Sequence, residues 1–239
     1  MKVITLSNMS GGCSKTTTCQ AIIEILRKKG FKVLGIDLDL QSSLTGCMNM
    51  EGNKKDAYDF LSGTPIEKVI ENDFISSSRQ LARAENLSLT RLKEELHRIK
   101  NQYDFVIIDT PPSTSKINMM CFVASDYVII PTQMNKKGYE GIQAIIKDVE
   151  IKNKTDNPGL KILGVLLTRF NQRQGIAQYM EEQIQETGLF VFKARIRQTL
   201  AIEECQLFGD PITSKTNKAV YDYRMFVNEM LERIENGKS

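Results

Sequence analysis

Val3-Ile4-Thr5-Leu6-Ser7-Asn8-Met9-Ser10-Gly11-Gly12-Cys13-Ser14-Lys15-Thr16-Thr17 decides how the rest of the chain is read. An apolar run, Val3 to Leu6, stops at a Gly-Gly turn and restarts at Lys15 as a helical pattern. A strand, a glycine turn and a helix start in that order aim backbone N–H groups and the positive helix end at one point, which suits a polyphosphate. Lys15 then supplies a point charge, and the Thr16 hydroxyl a ligand for Mg²⁺. In the usual form of such a loop the residue before the lysine is glycine; here it is Ser14, whose Cβ must fit where the backbone closes on phosphate.

Two further stretches separate this loop from an ordinary turn. Lys32-Val-Leu-Gly-Ile36 runs into Asp37-Leu38-Asp39-Leu40-Gln41, and Phe105-Val-Ile-Ile108 runs into Asp109-Thr110-Pro111-Pro112. Buried parallel strands that end in carboxylates are poor designs for stability, because an unpaired buried charge is costly. They make sense when a cation sits at the strand ends, where ligands bind in open α/β sheets.

Outward from these strands, apolar runs and amphipathic segments alternate. Residues 15–29 place Ile22, Ile23, Ile25 and Leu26 at helical spacing and stop at Gly30. The polar run Gln41 to Gly46 reads as a mobile switch loop. Asp56 to Leu61 reads as a short helix, and Asn86 to Tyr103 as a charged one. A Met-rich helix is expected over Lys116–Ala124, a strand over Tyr127–Pro131, a helix over Gly138–Lys152 and a strand over Lys161–Leu167. Then come a helix over Gln172–Thr187, a strand over Leu189–Lys193, a Gly209-Asp-Pro211 turn, and a last helix from Asn217 to Glu235. The pattern predicts an α/β fold: one doubly wound, mostly parallel sheet with helices on both faces, residues 1–239 forming a single domain.

Composition bounds the rest. The chain has 239 residues, enough for one domain to bury a large core, with 26% charged residues and a net charge of +3. That charge permits nucleic-acid contact without demanding it. The five cysteines are scattered, with no Cys-x-x-Cys pair, as in a reduced, cytosolic chain. Cys13 reads as a small residue in a tight turn rather than a reactive thiol. His97 lies among Lys93, Glu94, Glu95, Arg98 and Lys100 and reads as a solvated surface residue. No leader or apolar span of about 20 residues is evident, so neither export nor a membrane span is expected.

Taken together, the Ser10–Thr17 loop, Asp37-Leu-Asp39-Leu-Gln41, the strand ending at Asp109, Ile129-Ile-Pro131-Thr and the run Phe192–Pro211 resemble the ParA/MinD family of deviant Walker ATPases. Within that family the chain resembles the short ParA-type partition ATPases. The resemblance implies ATP and Mg²⁺ as cofactors. Gly11, Gly12, Cys13, Ser14, Lys15, Thr16 and Thr17 would cradle the phosphates, with Lys15 on the β/γ-phosphates and Thr17 on the α-phosphate. Thr16 would ligate Mg²⁺, Asp109 would hold it through water and Asp37 would support its shell. Asp39 would position the attacking water, and Asn171 would read the adenine amino group. Such a protein is expected to form a nucleotide-dependent homodimer, to bind DNA non-specifically in the cytoplasm, and to answer to a ParB-like centromere-binding partner. Its role would be to segregate plasmid or mobile-element DNA.

The departures matter as much. The family's signature lysine precedes the two glycines and reaches the partner's phosphates across the dimer; here that position is Ser10. Losing a charge aimed at a transferring phosphoryl group typically costs ~10²–10³ in rate. Hydrolysis is therefore expected to be slow unless Lys136, Lys137 or a partner supplies the charge. Lys193, Arg195, Arg197, Lys215, Lys218 and Arg224 are the basic candidates for DNA, interleaved with Glu203, Glu204, Asp210 and Asp222. Two other readings stay in view. One is a degenerate regulatory or scaffold protein that binds nucleotide weakly, favoured by Ser10 and Ser14. The other is a MinD-like membrane switch, which predicts a basic amphipathic tail and is disfavoured by the actual one, Met230-Leu-Glu-Arg-Ile-Glu-Asn-Gly-Lys-Ser239, as too acidic.

Overall fold

Among the described residues there are seven parallel strands: six follow the apolar runs above, and the two-residue strand Phe74–Ile75 is one that the sequence pattern did not single out. In the computed structural model, which describes residues 1–113, 115–170, 176–214 and 218–237, they are β1 (Lys2–Leu6), β2 (Val33–Asp37), β3 (Phe74–Ile75), β4 (Phe105–Asp109), β5 (Tyr127–Thr132), β6 (Lys161–Phe170) and β7 (Val191–Arg197). They form one sheet in the order β3-β2-β4-β1-β5-β6-β7. The helices between them are α1 (Lys15–Lys28), α2 (Ser43–Cys47), α3 (Ala57–Leu61), α4 (Arg91–Arg98) and α5 (Lys116–Ala124). After these come α6 (Lys136–Thr155), α7 (Ile176–Glu186), α8 (Leu200–Phe208) and α9 (Lys218–Glu235).

Side chains alternate across each strand, so one strand feeds both layers of the core. Ile4, Leu6, Ile107, Ile129, Leu163 and Leu166 pack under α1 and α9. Val3, Leu34, Ile36, Val106 and Ile108 face the opposite way, onto α3, α4 and α5. Val128, Ile130, Val165 and Leu167 meet α6 on that same side. Met120 is buried there, and Val220, Tyr223, Phe226, Val227 and Met230 form the buried stripe of α9.

The strand order positions the site. β1 pairs with β4 on one side and β5 on the other, so the chain reverses its direction of travel across the sheet at β1. The crevice beyond the carboxyl ends of the strands opens at such a point. The loop of residues 7–14 leaves β1 directly into it. Register then brings the carboxylates together: Leu6 is level with Asp109, and Asp37 with Asp109.

Several element boundaries differ from the sequence pattern. The polar run after Asp39 is not all loop: Ser43–Cys47 is helical, because the Thr45 N–H (2.8 Å) and hydroxyl (2.8 Å) both donate to Asp37. The helix expected over 86–103 shrinks to Arg91–Arg98, preceded by a 3₁₀ segment at Arg79–Asn86, and Leu87 is extended between them. The last strand lies later, over Val191–Arg197, and α8 occupies part of a stretch read only as basic residues and a turn.

β7 is an edge strand whose outward N–H groups are covered by α9. Glu229 accepts from the N–H of Lys193 at 2.9 Å and of Ala194 at 3.2 Å, and Asp222 accepts from that of Arg197 at 3.2 Å. Carboxylates on an exposed edge keep it from pairing with another strand.

Candidate functional site

The loop after β1 is shaped by side chains from three neighbouring strand ends. Asn8 donates from Nδ2 to the Pro131 carbonyl at 2.8 Å, and its Oδ1 accepts from the Ser10 N–H at 2.9 Å. Gln133 Nε2 donates to Gly12 O at 2.6 Å, and the Thr168 hydroxyl lies 3.0 Å from Cys13 O. The Thr110 hydroxyl donates to Leu6 O at 2.8 Å. Gly12 has φ +72° and Ser14 φ +66°, so the turn uses the left-handed region twice, once at a residue with a Cβ.

Helix α1 begins at Lys15 with no side-chain cap from Ser14 and no acidic residue in its first turn. Its positive end is thus left for an anion. The Lys15 ammonium is turned into the loop, donating to Asn8 O at 3.1 Å and lying 3.8 Å from Cys13 Sγ. A cavity of about 510 Å³ opens over this turn, and Gly11 to Thr17, Asp39, Ser42, Ser43 and Arg169 are among the residues in its wall.

Opposite Lys15 stand the carboxylates. Asp109 is fully buried; its Oδ2 accepts from the Thr16 hydroxyl at 2.7 Å, while Oδ1 is buried with no partner. Burial and the neighbouring Asp37 push its pKa up, against the opposing pull of Thr16 and Lys15. Burial also raises Asp37, although both its oxygens accept hydrogen bonds, Oδ1 from the Asp39 N–H at 3.0 Å and Oδ2 from Thr45. Asp39 is 9% exposed, in the cavity wall, and its Oδ1 accepts from the Gln41 N–H at 3.0 Å.

Two adjacent buried carboxylates that resist ionisation, one with an orphaned oxygen, form a donor set that a divalent cation would satisfy. Among the described residues no three His, Cys, Asp or Glu side chains are grouped to hold a metal alone. Such a set fits Mg²⁺, which keeps several waters and takes few protein ligands.

The structure thus brings Lys15, Thr16, Asp37, Asp39 and Asp109 to one strand-end crevice, with Gly11, Gly12, Cys13, Ser14 and Thr17 in its wall. Asp37 faces Thr45 and Asp39 rather than the cavity. Asn171 lies outside the described residues, as does Lys215. Cys13 is buried and its thiol is raised by that burial, the state of a small core residue. Lys136 is exposed and sits 3.8 Å from Glu140, and neither it nor Lys137 lines the cavity. Asn8, Thr45, Gln133, Thr168 and Arg169 were missed by sequence reasoning. Single polar residues at strand ends form no pattern, and only the strand-order reversal brings them together.

A protein-family model described as an AAA domain matches residues 1–162. The chain is 28% identical to the chromosome-partitioning ATPase Soj of Thermus thermophilus, over 97% of this chain and 96% of that protein. It is 32% identical to the sporulation initiation inhibitor protein Soj of Bacillus subtilis, over 88% and 90% respectively. The crystal structure of cobyrinic acid a,c-diamide synthase from Mycobacterium smegmatis superposes with a TM-score of 0.86 at 24% identity. It covers 100% of this chain and 97% of the other, which shows a common fold. With the loop after β1, the carboxylates ending β2 and β4, and relatives aligned over nearly the whole chain, this protein belongs to the ParA/MinD family of deviant Walker ATPases.

Proposed function

We propose that residues 1–239 act as one ATP-dependent partition switch: the chain binds ATP with Mg²⁺, dimerises, holds DNA non-specifically and hydrolyses ATP when a ParB-like centromere-binding partner engages it. The observation that carries this reading is the Thr16–Asp109 hydrogen bond at 2.7 Å beneath the glycine turn, with the second Asp109 oxygen unpartnered. Bound ATP with Mg²⁺ supplies an activated phosphoryl group whose transfer to water needs positioning and charge neutralisation. Lys15 provides the positive charge within the loop, and the N–H groups at the start of α1 bind phosphate oxygens. Thr16 and Asp109, already hydrogen-bonded to each other, are the residues that would hold the Mg²⁺, Thr16 by its hydroxyl and Asp109 through water. Asp39, the carboxylate in the cavity wall, orients the attacking water, and Asp37 fixes Asp39 and Thr45. Ser10 carries no charge toward a partner's phosphates, so turnover is slow.

DNA contact falls to fewer residues than the sequence offers. Arg195 is paired with Glu181, and Arg197 makes a bidentate pair with Asp222 at 2.7 and 2.8 Å. Lys193, Lys218 and Arg224 are exposed. DNA binding carried by them weakens steeply with salt. Among the described residues no helix is long and apolar enough to cross a membrane. We place the protein's action in the cytoplasm.

The test is a calorimetric titration with ATP and Mg²⁺, with sedimentation before and after. Saturable binding that converts monomer to dimer is expected. No binding at millimolar ATP refutes the switch and leaves a regulatory scaffold, the reading favoured by the left-handed Ser14 in the loop.

A further inference from the structure

Arg169 stands in the wall of the nucleotide cavity. Together with Lys15 it is one of two cations lining that cavity among the described residues. It is exposed, and its backbone has φ +48°, a conformation disfavoured for a residue with a long side chain. The neighbouring Thr168 is locked against the phosphate loop through Cys13 O at 3.0 Å and against β5 through Thr132 O at 3.1 Å. The β6 end is therefore fixed beside the turn, and the strained residue follows at once.

Its place in the sheet says which end of a nucleotide it meets. Thr16, Asp37 and Asp109 lie on the β2/β4 side of β1, whereas β6 lies on the other side, beyond β5. At about 4.8 Å between strands, β6 is about 14 Å from β4. A triphosphate laid across the loop with its metal-bound end near Asp109 has its nucleoside end toward β6. Arg169 is also within electrostatic reach of Tyr223, whose buried hydroxyl lies 3.3 Å from the Thr18 hydroxyl in α1.

We propose that Arg169 is a nucleotide-binding residue that grips the nucleoside-monophosphate end of ATP, through the α-phosphate and the face of the base. The inference rests on the ATP reading. A planar guanidinium suits both contacts, since it pairs with phosphate oxygens and stacks on rings.

The experiment is calorimetry of Mg-ATP and Mg-ADP against the wild type, Arg169→Ala, Arg169→Gly and Arg169→Lys, with thermal melts in the absence of nucleotide. Glycine keeps the left-handed backbone while removing the guanidinium, so it carries the test if the alanine variant folds poorly. The expected result is a loss of roughly 10- to 100-fold in affinity for ATP and ADP alike in both truncations, with partial recovery in the lysine variant. Unchanged affinities in Arg169→Gly overturn the proposal, and so does a loss confined to ATP, which would put the side chain at the γ-phosphate. If the wild type binds neither nucleotide, the ATP reading falls and this inference with it. Binding that ignores Arg169 overturns this inference alone.

Discussion

Replacing Ser14 by glycine should make the protein both more stable and a better nucleotide binder. Ser14 sits at φ 66° and ψ 28°, immediately before α1, and its side chain makes no capping hydrogen bond. For a residue with a Cβ the left-handed region carries about 1–2 kcal/mol of strain. Glycine removes that strain but adds about 0.5–1 kcal/mol of chain entropy lost on folding. The balance favours Ser14→Gly by about 0.5–1 kcal/mol, which for a domain of this size is a rise in melting temperature of about 1–4 °C. Ser14→Ala keeps the Cβ and gives up no cap, so its melting temperature should stay with the wild type. Ser14→Val, β-branched in the same conformation, should fall below both. The strain is present with or without ligand and cancels in binding, so an affinity gain reports only the Cβ crowding the phosphate. Thermal melts of the four proteins, each paired with a calorimetric titration of Mg-ATP, separate the two effects. If alanine stabilises as much as glycine, or glycine lowers the melting temperature, the strain argument is wrong. If glycine stabilises without tightening ATP binding, the crowding argument is wrong.

Three other outcomes are expected. Ser10→Lys should raise ATP turnover by about 10²–10³, read by phosphate release at protein concentrations that favour the dimer; an unchanged rate would mean another group already supplies the charge. The nucleotide-free protein should lose stability as pH rises from the ordinary carboxylate range toward neutrality. Asp37 and Asp109 have raised pKa values, so the folded state binds more protons than the unfolded chain in that window, and stability is greatest at its acid end. Denaturant midpoints at pH 5.5 and 7.5 should differ less in Asp109→Asn; an identical difference in the variant would exonerate Asp109. Gly141→Ala should weaken nucleotide binding from outside the cavity. Its Cβ would lie 2.1 Å from Asn8 Oδ1, displacing the side chain that ties Ser10 to Pro131, at a cost of about 1–3 kcal/mol in stability. Wild-type affinity in that variant would show that the Asn8 bridge does not shape the loop.

The chemistry written in contiguous residues is legible in the sequence. Ser10 to Thr17, the Asp37 and Asp109 strand ends and the apolar runs between them each carry their signal within a few positions, because strand period, helix period and turn chemistry are local properties. Lys116–Ala124 is helical over the span its pattern predicts, and the buried stripe of α9 follows from spacing alone. Boundaries failed where a distant partner decided them. Thr45 is helical because a buried carboxylate eight residues earlier accepts its N–H and hydroxyl, and β7 extends to Arg197 because β6 pairs with it there.

The sequence by itself determined the parallel α/β architecture, the phosphate loop and the carboxylates that end β2 and β4, since each is encoded by neighbours along the chain. Only the tertiary structure decided that Asp37 turns inward to hold Asp39 and Thr45, and that Arg195 and Arg197 are taken up by Glu181 and Asp222. The same holds for Arg169, which joins the cavity more than 150 residues after the loop it faces. Those assignments depend on which strand lies beside which, and strand order is set by burying both faces of the sheet at once, a condition on the whole chain that no short stretch contains.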